Sequence, residues 1–277
     1  MLAFCIVTPT LNAGHLLDET ARSVIRCLRT TDRYIIVDGG STDGSIEAVK
    51  AWAPPNVYFT KDRGGGMYDA IAKGFENCQE PLMAWLNASD IYLDGALDWV
   101  RAEFNRTNAD LLHFDDLYAD TNSRVICRSV GTLKNIHSAM MAGWTPLQDG
   151  CFWRSHLYTA CGGISTHWKL AGDFDFFCRA FATGSSAYGR GVVSAFRKHE
   201  GQLSRSRTNS SANERQQIIK LLQTQANMET SAKFSQLLMR ISLSFRYRCH
   251  LMRKRTPHVN NDARTIGEFL LINSAVT

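Results

Sequence analysis

The chain contains no uninterrupted apolar run near the ~18 residues that a membrane span requires. No leader precedes the first apolar strand, which begins almost at Met1, so a signal peptide is not expected. The 8 cysteines, at positions 5, 27, 78, 127, 151, 161, 178 and 249, include no CxxC pair, and several lie inside apolar runs. Buried reduced thiols in a cytosolic protein are the expectation. No G-x-G-x-x-G follows the first strand, where Thr8-Pro9-Thr10-Leu11-Asn12-Ala13-Gly14 stands instead, which argues against a nicotinamide oxidoreductase. A GxxxxGK[ST] loop is also missing, as are internal repeats and low-complexity tracts. A net charge of +5 without a binding motif does not support a nucleic-acid partner.

What is present is an ordinary globular composition, 44% hydrophobic over 277 residues, enough for one large domain or two small ones. Short apolar runs at Ala3–Thr8, Tyr34–Val37, Val57–Thr60 and Pro81–Leu86 alternate with helical spacing at Leu16–Leu28, Ile46–Trp52, Tyr68–Asn77 and Gly95–Phe104. This alternation predicts an α/β fold with a mostly parallel central sheet flanked by helices. Beyond residue 110 the pattern changes. Strands are predicted at Leu111–Phe114, Arg124–Cys127, Cys151–Trp153 and within Ala187–Phe196, with helices at Leu133–Met141 and Asp173–Phe181. A further helix is predicted from roughly Asn213 to Arg253. The expected organisation is a first half over 1–110, a second half of the same domain over 111–205, and a C-terminal helical extension over 206–277.

Five polar clusters punctuate this pattern. Asp38 ends the second strand, where a carboxylate can accept ribose or N–H hydrogen bonds from a nucleoside, and can equally cap the next helix. Leu86-Asn87-Ala88-Ser89-Asp90 ends the fourth strand. Asp90 is a candidate ligand for Mg2+ or Mn2+ beside a diphosphate, with Asn87 and Ser89 as neutral donors, or the turn is a helix cap. Lys61-Asp62-Arg63-Gly64-Gly65-Gly66-Met67-Tyr68-Asp69 combines anion-accessible backbone with the fixed fork of Arg63. Gly172-Asp173-Phe174-Asp175 opens a helix among aromatics, where partial drying would suit one carboxylate to general-base work, or the pair is a cap and a surface group. His199 follows the last strand and is open to a metal or a surface role.

Taken in order, these pieces resemble the family 2 glycosyltransferases over roughly residues 3–205. The resemblance rests on Pro9-Thr10-Leu11-Asn12, Val37-Asp38-Gly39-Gly40-Ser41-Thr42-Asp43-Gly44, Met67-Tyr68-Asp69-Ala70 and Leu86-Asn87-Ala88-Ser89-Asp90. Gly150-Cys151-Phe152-Trp153-Arg154, Gly172-Asp173-Phe174-Asp175 and the Phe196–Ser204 stretch continue it. It implies the GT-A nucleotide-diphospho-sugar transferase fold and inverting transfer of one sugar to an acceptor hydroxyl. A UDP-sugar is the family's commonest donor. The resemblance makes Thr8, Pro9, Asp38, Arg63 and Asp69 nucleotide-binding residues and Asp173 the catalytic base. Asn87, Ser89, Trp153, Gly172 and Asp175 would line the donor/acceptor pocket, and Asp90 and His199 would hold Mn2+ or Mg2+. Three departures stand out: Asn87 and Ser89 replace common carboxylates, the glycine loop is longer than usual, and Gly172 replaces a frequent Glu. The Gln-x-x-Arg-Trp signature of processive synthases is absent.

The implied acceptor is a glycan or lipid-linked intermediate of bacterial surface polysaccharide assembly. Residues 234–255 interleave apolar and basic side chains, which fits either peripheral contact with the inner face of the cytoplasmic membrane or packing on the core. The rival from another class is a non-catalytic nucleotide-sugar or glycan-binding module.

Overall fold

The computed structural model describes residues 2–62, 64–129, 136–141, 143, 145–199, 202 and 208–228. Arg63, residues 234–255 and Phe269–Ile272 therefore lie outside the described residues.

Four short apolar runs form parallel strands: β1 (Phe4–Thr10), β2 (Arg33–Asp38), β3 (Val57–Lys61) and β4 (Leu82–Trp85). Between them lie α1 (His15–Cys27), α2 (Ser45–Lys50) and α3 (Met67–Phe75). The two-residue β5 (Ile91–Tyr92) and α4 (Ala96–Thr107) follow. The second half contributes β6 (Leu111–Ala119), β7 (Val125–Ser129), α5 (Ile136–Met141), a 3₁₀ turn at Gln148–Gly150, β8 (Cys151–Arg154) and α6 (Ser155–Ala160). It closes with α7 (Gly172–Thr183), β9 (Ser186–Arg197) and α8 (Thr208–Met228).

Among the described residues nine strands form one sheet in the order β3-β2-β1-β4-β8-β6-β9-β5, with β7 on β6. The β3-β2-β1-β4 block is wholly parallel. Past β4 the sheet is mixed: β8 is antiparallel to β4 and β6, β9 is parallel to β6, and β5 and β7 are antiparallel to their neighbours. The parallel character thus belongs chiefly to the first half.

β1, β2 and β4 are buried because helices cover them, which is why they read as unbroken apolar runs, while the edge strand β3 is partly exposed. Gly74 shows how closely α3 lies on β1: a Cβ there would sit 2.5 Å from the Val7 side chain. Where β4 meets β8, the core is aromatic. Trp153 packs on Phe176 (4.9 Å between centroids) and Trp85 (5.4 Å), and Trp85 stacks on Phe177 (5.6 Å). This aromatic seam joins α7 to the sheet and fixes where its N-terminus falls.

One expectation about cysteine is corrected. Cys5 and Cys78 form a disulfide, because the start of β1 and the end of α3 bring their Cα atoms to 6.1 Å. Cys27, Cys161 and Cys178 are buried free thiols, as anticipated, and Cys151 is buried as well. Among the described residues no helix is long and apolar enough to cross a membrane.

Candidate active site

Because β1 to β4 run the same way, their C-terminal ends share one rim, the usual place for ligands in an open α/β sheet. At this rim Thr10 pairs in register with Asp38, and the Gly39 N–H donates to the Thr10 carbonyl (2.9 Å). Asp38 Oδ1 accepts the N–H groups of Gly40 (3.1 Å) and Ser41 (2.8 Å). Burial alone would raise the Asp38 pKa. Hydrogen bonds from Ser41 and Gly40, with the charge of Lys61, outweigh it and hold the carboxyl below its ordinary value. Asn12 Oδ1 accepts the Thr42 N–H (2.8 Å) and Asp43 accepts the Gly14 N–H (2.8 Å), so the loops after β1 and β2 are stitched together.

Thr8, expected at the nucleotide, requires correction: it is sealed in the sheet, its hydroxyl accepting from Tyr34 (3.0 Å). Pro9 is also buried, opposite Val37. Sequence reasoning passed over Thr10, whose buried hydroxyl has no hydrogen-bond partner among the described residues and lies level with Asp38. The signal available was its place at the end of the strand.

A second wall forms where the start of α3 meets the start of α7. Asp69, in the first turn of α3, lies over Gly65 so closely that a Cβ there would overlap its carboxyl carbon. Lys169 Nζ reaches the Gly65 carbonyl (3.0 Å) and Asp69 Oδ2 (3.5 Å), tying the glycine loop to the segment before α7. Tyr68, absent from the sequence-based site, donates its hydroxyl to Asp173 Oδ1 (3.1 Å). The Phe174 N–H donates to the same oxygen (2.8 Å). Asp173 is half-buried, with Oδ1 doubly engaged, so Oδ2 is the atom left to take a proton. Gly172 is required by contact: a Cβ there would meet the Tyr68 ring at 2.8 Å. That contact is the physical reason for glycine at this position. Asp175, expected in the pocket, is corrected by its ion pair with Arg179 one turn along α7 (Nε to Oδ2 3.1 Å). Two residues on a helix are far round the axis, so Asp173 and Asp175 cannot share a face.

The turn after β4 completes the rim. Asn87 and Ser89 are half-buried, and Asn87 Oδ1 is a buried oxygen with no partner among the described residues. Asp90 lies behind them with 0% exposure. Its carboxylate accepts the Arg197 N–H (3.0 Å), the Ser89 hydroxyl (3.4 Å) and the Gln148 amide (3.4 Å). Burial, and then the nearby Asp149 charge, push its pKa well above the carboxylate range, and burial raises Asp149 to about 6. Arg197 seals the pocket further through Ser89, Glu19 and Leu16. His199 follows β9 two residues beyond Arg197 and is half-buried. Trp153, also expected in the pocket, is corrected to a core residue with 0% exposure, because β8 is covered on both sides.

Asp38, Asp90 and Asp173 therefore belong to one end of the sheet. Asp90 lies beneath the surface of that end, not on it. The donor set around it decides what cation fits. The neutral side chains of the turn, Asn87 and Ser89, are half-buried, and its one carboxylate is enclosed. This set suits a divalent ion that arrives with anionic phosphate oxygens of its own, and not a resident one.

Comparison with known proteins agrees with this architecture. Residues 5–125 match the model of glycosyl transferase family 2. A PGL/p-HBAD biosynthesis glycosyltransferase of Mycobacterium bovis is 25% identical over 210 residues, which cover 72% of this chain and 78% of the relative. The structure of S. aureus TarS 1-349 in complex with UDP-GlcNAc superposes with a TM-score of 0.70 at 16% identity, covering 86% of this chain and 71% of that one. The mannosyltransferase PcManGT from Pyrobaculum calidifontis, in complex with GDP-Man and Mn2+, gives 0.57 at 15% identity, covering 90% and 83%. At these identities the structural likeness establishes the fold.

Proposed function

We propose that the chain, a glycosyltransferase of GT-A fold whose residues 5–125 match the model of glycosyl transferase family 2, moves a single sugar, with inversion, from a nucleotide-diphosphate donor to an acceptor hydroxyl. The observation that carries the proposal is Asp173, half-buried at the rim, with Oδ1 fixed by Tyr68 and Phe174. Oδ2 takes the acceptor hydroxyl proton as that oxygen attacks the anomeric carbon. The bond to the nucleotide diphosphate breaks on the opposite side, and the sugar carbon inverts in one displacement.

Donor binding is assigned to residues 1–110, with Asp38, Thr10, Asp69 and Arg63 around the nucleotide. Acceptor binding and proton transfer are assigned to 111–205, with 206–277 as a helical extension. A UDP-sugar, hexosyl or N-acetylhexosaminyl, is the preferred donor, supported by the TarS complex. A glycan or lipid-linked acceptor in surface polysaccharide synthesis is supported by the biosynthetic role in the mycobacterial relative's name. Mn2+ or Mg2+ would be held by donor phosphate with Asn87, Ser89 and His199, and would draw Asp90 toward its ionised form. Bound there, the ion would neutralise the diphosphate as it leaves. A cytoplasmic enzyme is the proposal, with residues 234–255 contacting the inner membrane face.

The test is a thermal-shift panel of UDP- and GDP-sugars with Mn2+, followed by release of UDP or GDP from the best donor. A ligand that binds only the folded state raises the melting temperature. The expected result is a shift with one donor class and turnover of that donor. No shift and no turnover across the panel would overturn the function.

A further inference from the structure

α7 starts without a side-chain cap of its own: its N-cap is Ala171 and its third residue is Phe174. Backbone N–H groups at a helix start need an acceptor. Here a carboxylate comes from a later helix. Glu214, in α8, accepts the N–H of Lys169 (3.3 Å) on Oε1 and the N–H groups of Leu170 and Ala171 (2.9 Å each) on Oε2. It does from a distant helix what a glutamate at the third helical position does in a capping box. A negative charge there also complements the positive end of the α7 dipole. The next residue reinforces the contact. Arg215 donates to the Gly143 carbonyl (2.8 Å) and its guanidinium lies 5.3 Å from the Phe174 ring centroid. Ile218, one turn on, is buried in the core.

We propose that α8 is a clamp on the catalytic segment, and that Glu214 is a positioning residue for Asp173. This rests on the assignment of Asp173 as the base. The segment held by Glu214 leads directly into Gly172-Asp173, and the same segment sends Lys169 to the glycine loop. One carboxylate thus fixes both the start of the catalytic helix and the side chain that ties it to the donor-binding half. The family model ends at residue 125, so the helix acts on the site from outside the matched region.

The test compares Glu214→Ala and Glu214→Gln with the full-length chain, by amide hydrogen exchange and by UDP release from a UDP-sugar. In Glu214→Ala the amides of 169–171 should exchange faster, with β1–β4 unchanged. UDP release at saturating donor should fall roughly 10- to 100-fold, the scale on which a displacement near 1 Å acts. UDP affinity, measured by calorimetry, should stay constant, which a general loss of folding would not allow. Glu214→Gln keeps an acceptor oxygen and should lie between wild type and Glu214→Ala; it carries the test if the alanine variant does not fold. Unchanged exchange at 169–171 overturns the clamp. Faster exchange with undiminished UDP release overturns the positioning role. Failure of the base assignment is separate: it is Asp173→Asn with full turnover.

Discussion

In the β1–β4 half of the sheet, acidic side chains meet backbone N–H groups at the rim and are held ionised. Asp38 is one case. Asp43 is another, its pKa lowered by the Ser45 hydroxyl first and then, against burial, by the N–H groups of Ser45 and Gly14. Beyond β4, the fully enclosed titratable groups Asp90, Asp149 and His113 are pushed toward neutrality, while Glu103 and Asp110, nearer the surface, are held ionised by their partners. Burial raises Asp90 and Asp149, and lowers His113 to about 4. The same half concentrates buried polar atoms without partners among the described residues: Tyr92 Oη, His113 Nδ1, Gln148 Oε1, both Asp149 carboxylate oxygens, Trp153 Nε1 and Ser194 Oγ. Native proteins leave few such groups, so water or ligand atoms are expected against them. The first half holds ionised carboxylates at its rim; the second encloses Asp90 and Asp149 and leaves Asp173 half-buried where the two meet.

The sharpest way to break that division is to remove charge from each half in turn. Asp173→Asn should lower transfer by about 10²- to 10⁴-fold, the usual contribution of a positioned base, with UDP affinity unchanged. Asp38→Ala should do the reverse and weaken UDP binding first. Calorimetry with UDP beside a transfer assay separates the two, and equal loss of UDP affinity in Asp173→Asn would refute the division. His113 tests the enclosed half by stability. Its folded pKa of about 4 lies below the ordinary 6.5, so between those values the unfolded chain binds more protons. Stability contributed by neutral His113 is full above pH 6.5 and is lost as pH falls through 4. At 1.36 kcal/mol per unit the loss amounts to roughly 3 kcal/mol. His113→Phe, which keeps a ring against Phe181 and Tyr188, should escape it. A gap between the two melting temperatures that does not change from pH 7 to pH 4 would refute the account.

The same contrast explains what could be read from the sequence. Tyr34–Val37 is apolar, β-branched and closed by glycines, and it forms β2; such runs need no distant partner to be recognised. β6 runs on to Ala119 although Asp115 breaks its apolar pattern. That carboxylate is buried only because Arg128 of β7 (2.6 Å) and the Tyr188 hydroxyl (2.7 Å) reach it. Asp38 and Asp173 stand out in the sequence as candidates because each ends or begins an element. The burial of Asp90 was not legible, since the N–H that seals it belongs to Arg197, and no local pattern links the two. Thr8 and Trp153 have site-like neighbours in the chain, but strand alternation and aromatic packing turn them inward. Tyr68 and Glu214 were missed for the same reason: each acts on Asp173 or its segment across a long stretch of sequence.

Gly172 lies where the halves touch, and its substitution should have a smaller but double effect. In Gly172→Ala the new methyl meets the buried Tyr68 ring at 2.8 Å, so the ring or the α7 backbone must shift. Overpacking of this kind costs about 1–3 kcal/mol. It should also pull the Tyr68 hydroxyl from Asp173, so turnover falls along with the melting temperature. Tyr68→Phe isolates the second part, because it removes the hydroxyl without adding volume. If Gly172→Ala melts with the wild type and turns over donor normally, the close contact does not hold the base.

The smallest predicted effect concerns the cation. Beside Asp90 the other donors of the turn, Asn87 and Ser89, are neutral, and burial opposes the ionised carboxylate that a resident Mn2+ would need. Donor phosphate supplies the missing charge, so Mn2+ should bind the UDP complex more tightly than the nucleotide-free protein. A factor of about ten corresponds to 1.4 kcal/mol of coupling, and linkage requires Mn2+ to tighten UDP by the same factor. Calorimetric titrations in both orders measure each side of that equality. Equally tight Mn2+ binding without UDP would mean that the enclosed half opens to make a metal site by itself. The contrast between an ionised rim and a sealed interior would then fail at Asp90, the residue on which it most depends.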